Sequence, residues 1–344
     1  MRILMGLCFA LTLSAAQSGK SKHPDPALRQ GIKTPGVQIP VANLKAEAQL
    51  PLAPQWIAFS DTILIPNKSG GLERLDAKSN KLVDPVPGVA QLCGGAAAGF
   101  KSLWIPDCGG HALMRLDAKI AADPKANAES KPAKPAEPVK IETGVSSALP
   151  AVAANSDSVW ILSDDKTTLS RIDPDQNKVV SELRLPAGCN TLTFGETALW
   201  VTCPAENRVL RINPETTLVE KRIEVSPQPS ALAIGETSLW VLCLKEGKVE
   251  RIDPKTNKVT KSIETGVTGA ASGGIAIGHG SIWVTLPGFP IARIDPATEK
   301  VMQQFWGPGG GAIHFGQGSV WLTNFHEGTL WRLDPKRILA TLAE

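Results

Sequence analysis

The sequence lacks the features that nucleic-acid-binding, membrane-embedded or metal-dependent proteins need. The net charge is only +3, and Lys and Arg form no basic stripe, so nucleic acid is not expected as a partner. After the N-terminus, no hydrophobic run approaches the ~20 residues of a membrane-spanning helix. The histidines lack zinc-type spacing, and there is no calcium loop, phosphate-binding glycine loop or haem-attachment signal. The sequence therefore predicts no metal and no cofactor.

The N-terminus has the three parts of a secretory signal peptide. Arg2 supplies a positive charge, residues 3–13 are apolar, and small residues precede a predicted cleavage site after Ala16. An uncleaved signal anchor is the alternative. Residues 17–36 hold too few apolar side chains to pack, so we expect a mobile leader there. These features predict a secreted or periplasmic protein whose folded domain spans residues 37–344.

One unit recurs seven times with a period of about 40 residues, which is typical of propeller blades. Six units share a Trp that follows an aliphatic residue, and Leu64 takes its place in the first unit; the tryptophans are Trp104, Trp160, Trp200, Trp240, Trp283 and Trp321. Ten or eleven residues later, every unit has Arg, an aliphatic residue and then Asp or Asn; these arginines are Arg74, Arg115, Arg171, Arg211, Arg251, Arg293 and Arg332.

Each unit contains four short runs rich in β-branched and apolar residues, separated by polar, Gly or Pro turns. We interpret the runs as strands A to D of one antiparallel blade, so the predicted fold is an all-β, seven-bladed propeller. The repeated Trp is expected to pack between blades, and the repeated Arg and Asp to bond each other or turn backbone. In blade 2, an Ala/Lys/Pro/Glu-rich insertion at residues 119–138 is expected to be a solvated loop.

Residues 42–52 match the strand-D pattern but belong to no complete unit. We expect them to form the outer strand of blade 7, whose other strands come from residues 311–335. This pairing would close the ring and remove a free sheet edge. Residues 336–344 would then be a tail, although residues 338–342 compete for the same edge.

The cysteine positions predict two disulfides within blades. Cys93 and Cys189 each lie eleven residues before a repeated Trp, and Cys108 and Cys203 follow the same Trp by four and three residues. Both pairs therefore join the start of strand A to the end of strand B on one face of a blade. Cys243 has no partner at the opposing position, so we expect it to be reduced and buried.

The units resemble propellers of the virginiamycin B lyase-like, YVTN and NHL type, which share the G-x-x-x-aliphatic-W strand and the R-aliphatic-(D/N)-P turn. The resemblance covers residues 55–335 and implies the fold far better than the function. In the lyases, a catalytic His precedes the last blade's Trp by ten residues and a Glu follows it by four. Gly311 and Phe325 stand at these positions here, and the equivalent His positions of other blades hold Gly273, Gly94, Pro150, Asn190 and Ser230. The general acid and the metal-positioning carboxylate that the lyase resemblance implies are therefore missing, and lyase activity is disfavoured.

The D-to-A and B-to-C connections of a propeller share one face around the central channel, and we call it the loop face. Departures from the repeat on that face give the candidate ligand-binding residues Trp306, Asn324, Phe325, His326, His314, Asp164 and Asn190. Four of them have a structural alternative: Trp306 would cover blade 7, His314 would pack, Asp164 would belong to a turn, and His326 would be a solvated loop residue.

Three functions are compatible with the sequence. The leading hypothesis is an exported, monomeric, non-catalytic propeller that presents its loop face to a protein, peptide, glycan or small molecule. The alternative is a divergent lyase or hydrolase that uses His326, His314, Asp164 and Asn190. A redox propeller with a bound cofactor is the third, and no sequence signal favours it.

Overall fold

Seven antiparallel sheets follow one another along the chain, as the repeat predicts. The computed structural model describes residues 30–32, 37–59, 62–67, 69–87, 89, 92–117, 138–145, 150–163 and 167–342. The predicted signal peptide, most of the predicted leader, the insertion up to residue 137 and Asp164 lie outside these ranges.

Blades 1 to 4 each contain four consecutive strands, A to D, in the described residues. Their bounds are β3 (Ala58–Phe59), β4 (Ile63–Pro66), β5 (Leu72–Asp76) and β6 (Lys81–Val83); β7 (Ala97–Gly99), β8 (Ser102–Asp107), β9 (Ala112–Asp117) and β10 (Val139–Glu142); β11 (Val152–Ala154), β12 (Val159–Ser163), β13 (Thr168–Asp173) and β14 (Lys178–Arg184); β15 (Thr191–Gly195), β16 (Ala198–Cys203), β17 (Arg208–Ile212) and β18 (Val219–Glu224).

Blades 5 and 6 repeat the pattern, and blade 7 takes its outer strand from the N-terminal part of the chain. The bounds are β19 (Pro229–Gly235), β20 (Ser238–Cys243), β21 (Lys248–Asp253) and β22 (Lys258–Glu264); β23 (Gly274–Gly278), β24 (Ser281–Leu286), β25 (Phe289–Asp295) and β26 (Lys300–Trp306); β27 (Gly311–Gly316), β28 (Ser319–Asn324), β29 (Thr329–Leu333) and β2 (Ala48–Leu50). Short 3-10 helices span Val41–Asn43 and Pro204–Glu206.

The predicted ring closure is confirmed. Strand β2 pairs antiparallel with β29, with Ala48 opposite Arg332 and Leu50 opposite Leu330. The paired segment is shorter than the predicted residues 42–52 because the chain first makes a 3-10 turn at Val41–Asn43. This pairing gives blade 7 its fourth strand. The chain leaves that strand directly into blade 1, so the first and last blades are joined.

A fifth strand on blade 6 was not predicted. Strand β1 (Val37–Pro40) runs parallel to β26, with Val37 opposite Gln303 and Pro40 opposite Trp306. The buried Gln304 side chain also holds Ile32, which precedes β1, because its Oε1 accepts from Ile32 N at 2.8 Å. Its Nε2 donates to Thr265 O at 2.7 Å, which orients the carboxamide. The edge strand of blade 6 is thereby covered.

The expected tail contains a helix, α1 (Pro335–Ala340). Asp334 caps its N-terminus by accepting from Lys336 N at 2.8 Å, and Ile338 is buried among residues of blades 6 and 7. The fully buried Gln303 donates from Nε2 to the Ile338 carbonyl. Neighbouring glutamines of β26 therefore fasten both ends of the domain to blade 6.

The repeated tryptophans pack between blades, as predicted. All six are fully buried. In five of them the indole N–H donates to the carbonyl of the glycine that ends strand A; the acceptors are Gly99, Gly195, Gly235, Gly278 and Gly316. Trp160 is the exception, since its Nε1 is buried and has no hydrogen-bond partner among the described residues.

The repeated arginines bond turn backbone, which was one of the two predicted alternatives, but the turn usually belongs to the next blade. Arg115 reaches Pro174 O and Asn177 Oδ1, and Arg332 closes the circle by reaching Ala77 O and Asn80 Oδ1 of blade 1. Within the described residues, Arg171 and Arg211 make equivalent links to turn carbonyls, and Arg251 instead pairs with the Glu299 carboxylate on the turn of blade 6. The repeated Asp instead binds backbone N–H groups of its own turn, as at Asp76, Asp173, Asp253 and Asp295.

The disulfide prediction is confirmed for all five cysteines of the folded domain. Cys93 is bonded to Cys108 with a Cα separation of 5.8 Å, and Cys189 to Cys203 with 4.0 Å. Cys243 is free and buried, and burial raises the pKa of its thiol well above the usual range. Two disulfides are typical of proteins that work outside the cytoplasm, in the periplasm or extracellularly. None of the helices in the described ranges has the length and hydrophobicity to span a bilayer.

Candidate functional site

A groove on the loop face runs from blade 1 to blade 4. One part, of about 580 Å³, lies between the D-to-A segment of blade 1 and its B-to-C loop, and a second part of about 270 Å³ continues to blade 4. The two parts share Gln55, Trp56 and Gly94, so we treat them as one surface and call it the Trp56 groove. D-to-A and B-to-C residues line it together, which agrees with the predicted loop face.

The described lining residues of the Trp56 groove include no ionisable side chain. The first part is lined by Pro51, Leu52, Ala53, Pro54, Gln55, Trp56, Pro66, Asn67, Ser69, Leu92, Cys93 and Gly94. The second part adds Gly95, Pro150, Ala151, Val152, Asn190 and Leu192. Carboxamides, a hydroxyl and backbone groups supply the polarity, so this lining suits an uncharged ligand.

Asn190 is the one predicted site residue that lines the Trp56 groove. Its Oδ1 accepts from the Thr202 hydroxyl at 2.5 Å, and its backbone N–H donates to Thr202 O at 3.0 Å. The Thr202 hydroxyl in turn accepts from Thr191 N at 3.2 Å, which fixes the direction of the network. The Asn190 Nδ2 hydrogens make no protein hydrogen bond in the described part of the chain, so they can donate to a ligand.

Two glycines let blades 2 and 3 approach each other in the wall of this groove. Gly94 has a φ of +71°, and a Cβ there would collide with the Pro150 carbonyl oxygen. The next residue, Gly95, donates from its backbone N–H to the same carbonyl at 3.2 Å. A Cβ at Gly95 would meet no atom within 4 Å, so space inside the groove is available beside this residue.

Trp56 and Gln55 were missed in the sequence analysis, although a signal was present. Trp56 lies two residues before the strand-A alanine that opposes Leu64, and the other six units have small residues there: Gly95, Ala151, Thr191, Ala231, Gly274 and Ala312. It packs against Leu64 and residues of blade 2, such as Leu103 and Ile105. Blade 1 thus has Leu64 at the common Trp position, and its large aromatic side chain is Trp56, two residues before the start of strand A.

At blade 7, the two positions that the lyase resemblance singled out lie against each other. A Cβ at Gly311 would be 2.6 Å from Cδ2 of Phe325, so the Phe325 ring occupies the space that a side chain at Gly311 would need. Asn324 supports the same segment, since its Oδ1 accepts from Gly310 N at 3.1 Å. Asn324 ends strand β28, so it lies in the strand and not in the predicted loop.

His314 occupies strand A opposite Trp321, as the repeat register predicts. The side chain faces blade 1, where the Gln55 backbone hydrogen-bonds the ring, and Nε2 is buried without a partner among the described residues. Burial lowers the pKa of His314 to about 4, and the Gln55 bond opposes this only in part. The ring is therefore neutral near pH 7 and packs below the groove residue Gln55.

Trp306 and His326 do not line the Trp56 groove. Trp306 is the last residue of β26 and not part of a loop, and it packs beside the hydrophobic cluster of blades 5 and 6. His326 is exposed in the B-to-C loop of blade 7, as predicted. The structure thus separates Asn190, on the groove, from the blade 7 residues that were predicted with it.

The divalent metal implied by the lyase resemblance does not fit the corresponding positions. Gly311 has no side chain and the neighbouring Phe325 is a hydrocarbon ring, so neither offers a ligand atom. No group of three or more His, Cys, Asp or Glu residues suited to a metal occurs in the described ranges.

Comparison with solved structures places the chain beside streptogramin B lyase. A structure titled "Streptogramin B lyase structure" matches with a TM-score of 0.66 and 19% sequence identity over 83% of this chain and 94% of that chain. At this identity the match shows the shared seven-bladed fold. No protein-family model matches the sequence, and neither does any curated protein.

Proposed function

We propose that this protein is an exported, non-catalytic propeller that binds an uncharged ligand in the Trp56 groove. The observation that carries the proposal is the lining of the groove, in which the described residues offer carboxamides and apolar walls but no acid or base. General acid–base catalysis needs a titratable group within hydrogen-bond reach of the reacting atom.

The polar contacts would come from Asn190 and Gln55, on opposite sides of the 270 Å³ part of the groove. Asn190 is oriented by Thr202, so little side-chain entropy is lost when a ligand accepts from Nδ2. Pro54, Pro150 and Trp56 form stiff apolar walls nearby. A neutral protein loop, peptide, glycan or small molecule remains compatible with this surface, and we propose a monomer as the binding unit.

The divergent lyase or hydrolase is the competing function. It is opposed by the contact of Phe325 with the Gly311 position and by the lowered pKa of His314, whose neutral ring cannot act as a proton donor near pH 7. Phe325 and His326, which are exposed on blade 7, and Trp306, at the end of the outer strand of blade 6, stay candidates for a second contact region, whereas Asn324 is buried and holds Gly310.

The test uses Gly95→Leu, because a Cβ at this groove-lining position meets no atom within 4 Å and a larger side chain would occupy the groove. Uncharged peptides and oligosaccharides are screened by thermal shift against the wild-type protein and this variant. A ligand that raises the Tm of the wild type, and of the control Ala297→Leu on an exposed C-to-D turn, should leave Gly95→Leu unchanged.

Equal shifts in all three proteins would place the ligand outside the Trp56 groove. Metal analysis covers the alternative function: a stoichiometric divalent metal that is lost in His326→Ala would favour the enzyme over the binding protein.

A further inference from the structure

We propose that the Cys93–Cys108 disulfide is a reducible clasp on the wall of the Trp56 groove, which a dithiol opens while the equivalent Cys189–Cys203 disulfide stays closed. Any effect of this opening on ligand binding in the groove rests on the proposed function. The selective reduction of the Cys93–Cys108 disulfide does not rest on it.

The two disulfides occupy the same place in their blades but differ in access. Cys189 and Cys203 are 0% and 1% exposed and are enclosed by the hydrophobic cluster between blades 3 and 4. Cys93 and Cys108 are only partly buried, and Cys93 lines the groove. Thiol–disulfide exchange requires a thiolate to reach a sulfur atom, so access decides which of the two bonds reacts first.

The clasp ties a segment that shapes one side of the groove to a neighbouring loop. Cys93 belongs to the D-to-A segment that leads into blade 2, and Cys108 begins the B-to-C loop of that blade. Among the described residues, Cys93 N donates to Pro106 O at 3.1 Å, Leu92 N donates to Gly70 O at 3.0 Å, and Leu92 forms an isolated bridge with Asp107. The disulfide adds a covalent restraint to these contacts.

The groove wall follows directly from Cys93. Gly94 and Gly95 are the next two residues, both line the groove, and both have the low intrinsic stiffness of glycine. In the described ranges, one backbone hydrogen bond joins them to blade 3, from Gly95 N to Pro150 O at 3.2 Å. Release of Cys93 removes the nearest covalent restraint on Gly94 and Gly95. Opening of the clasp should therefore increase the mobility of these two residues before that of the rest of the groove.

The reaction balances with a dithiol as reductant. One thiolate attacks a sulfur of the Cys93–Cys108 bond, forms a mixed disulfide and releases the other cysteine as a thiolate, which takes up a proton. The second thiol of the reductant, after losing its proton, displaces the remaining cysteine and closes a disulfide within the reductant. Two electrons and two protons pass to the protein, and an oxidised dithiol reverses the process.

The first experiment measures selectivity on the full native protein. The protein is equilibrated with increasing dithiothreitol, blocked with N-ethylmaleimide before denaturation, and mapped by peptide mass spectrometry. Cys93 and Cys108 should be labelled at a reductant concentration at least about tenfold below that needed for Cys189 and Cys203. Labelling of both pairs at the same concentration, or of Cys189 and Cys203 first, would overturn the proposal.

The second experiment asks whether the clasp holds the groove wall. Hydrogen exchange is compared between the oxidised protein and the selectively reduced protein, and repeated with the double variant C93S/C108S as a permanently open form. Amides of residues 92–95 should exchange about tenfold faster or more in both open forms, while those of residues 189–192 stay unchanged. Unchanged exchange at residues 92–95 would show that the disulfide is no clasp, whether or not the groove binds a ligand.

Discussion

Trp160 and Trp200 provide a matched pair in which the same substitution should have different costs. Both are fully buried and both occupy the same register in adjacent blades. The Trp200 indole N–H donates to Gly195 O at 2.9 Å, whereas Trp160 Nε1 has no partner among the described residues. The rings also have different neighbours, since Arg211 lies over Trp200 at 5.4 Å and Phe194 stacks on Trp160 at 6.1 Å. Replacing each by Phe keeps an aromatic ring for these contacts but removes the N–H, so the pair compares a satisfied indole donor with an unsatisfied one.

The difference originates in the turn between strands A and B. In blade 4 the turn residues Glu196 and Thr197 have φ angles of 48° and 63°, and Gly195 directs its carbonyl to the indole. In blade 3, Ser156 and Asp157 lie outside the left-handed region, and the Asn155 side chain accepts from Asp157 N and Ser158 N. Its backbone carbonyl does not reach the indole of Trp160.

The expected magnitude follows from these contacts. Trp200→Phe loses a hydrogen bond, worth about 1 kcal/mol net, while Trp160→Phe removes a buried, unsatisfied donor and regains about 1–3 kcal/mol. With a similar loss of volume at both sites, Trp200→Phe should be the more destabilising by about 2–4 kcal/mol. Urea unfolding followed by circular dichroism measures the free energy of unfolding of each variant. Equal losses, or a larger loss for Trp160→Phe, would refute this explanation.

Four further outcomes are expected. Trp200→Ala should lower the free energy of unfolding by about 3–5 kcal/mol through the cavity that it leaves, measured by the same urea titration. Deletion of residues 37–50 should lower the Tm of the whole domain, because it uncovers the outer edges of blades 6 and 7, and calorimetry would detect this. Cys243 should resist labelling by a thiol reagent at pH 8 until the protein unfolds, because burial raises the pKa of its thiol. Because the pKa of His314 is lowered from 6.5 to about 4, its contribution to stability is present above pH 6.5 and is lost as the pH falls toward 4; His314→Ala should weaken this pH dependence of the urea midpoint.

Most of the correct structural predictions came from aligning the seven repeats. Trp104 and its equivalents aligned the strands, and this alignment placed Cys93 opposite Cys108 and residues 42–52 beside blade 7. These predictions succeeded because the spacing of strands in an antiparallel blade is nearly fixed by short turns. Strand β1 could not be found in the same way, because its four residues carry no repeat pattern and their parallel partners in β26 are distant in sequence.

The Trp56 groove was harder to predict than the fold. The sequence drew attention to residues with large or titratable side chains, such as His326 and Trp306, whereas the groove arises where side chains are small or displaced. Gly94 and Gly95 create space, and Trp56 fills the position of a small residue while Leu64 replaces a Trp. A cavity depends on what several distant segments leave open, and single positions of a sequence do not show that directly. Asn190 was found only because it breaks the repeat with a polar side chain.

The pairing of β2 with β29 also sets an order of events during biosynthesis. Ala48–Leu50 leave the ribosome before the seven blades of this propeller, yet their hydrogen-bond partners at Leu330–Arg332 belong to the blade that is synthesised last of the seven. Until then, an early segment has to remain extended and unpaired while six blades form behind it. A chain that stops before Thr329 has no β29, so the ring of such a product stays open and presents sheet edges on which neighbouring chains can add strands.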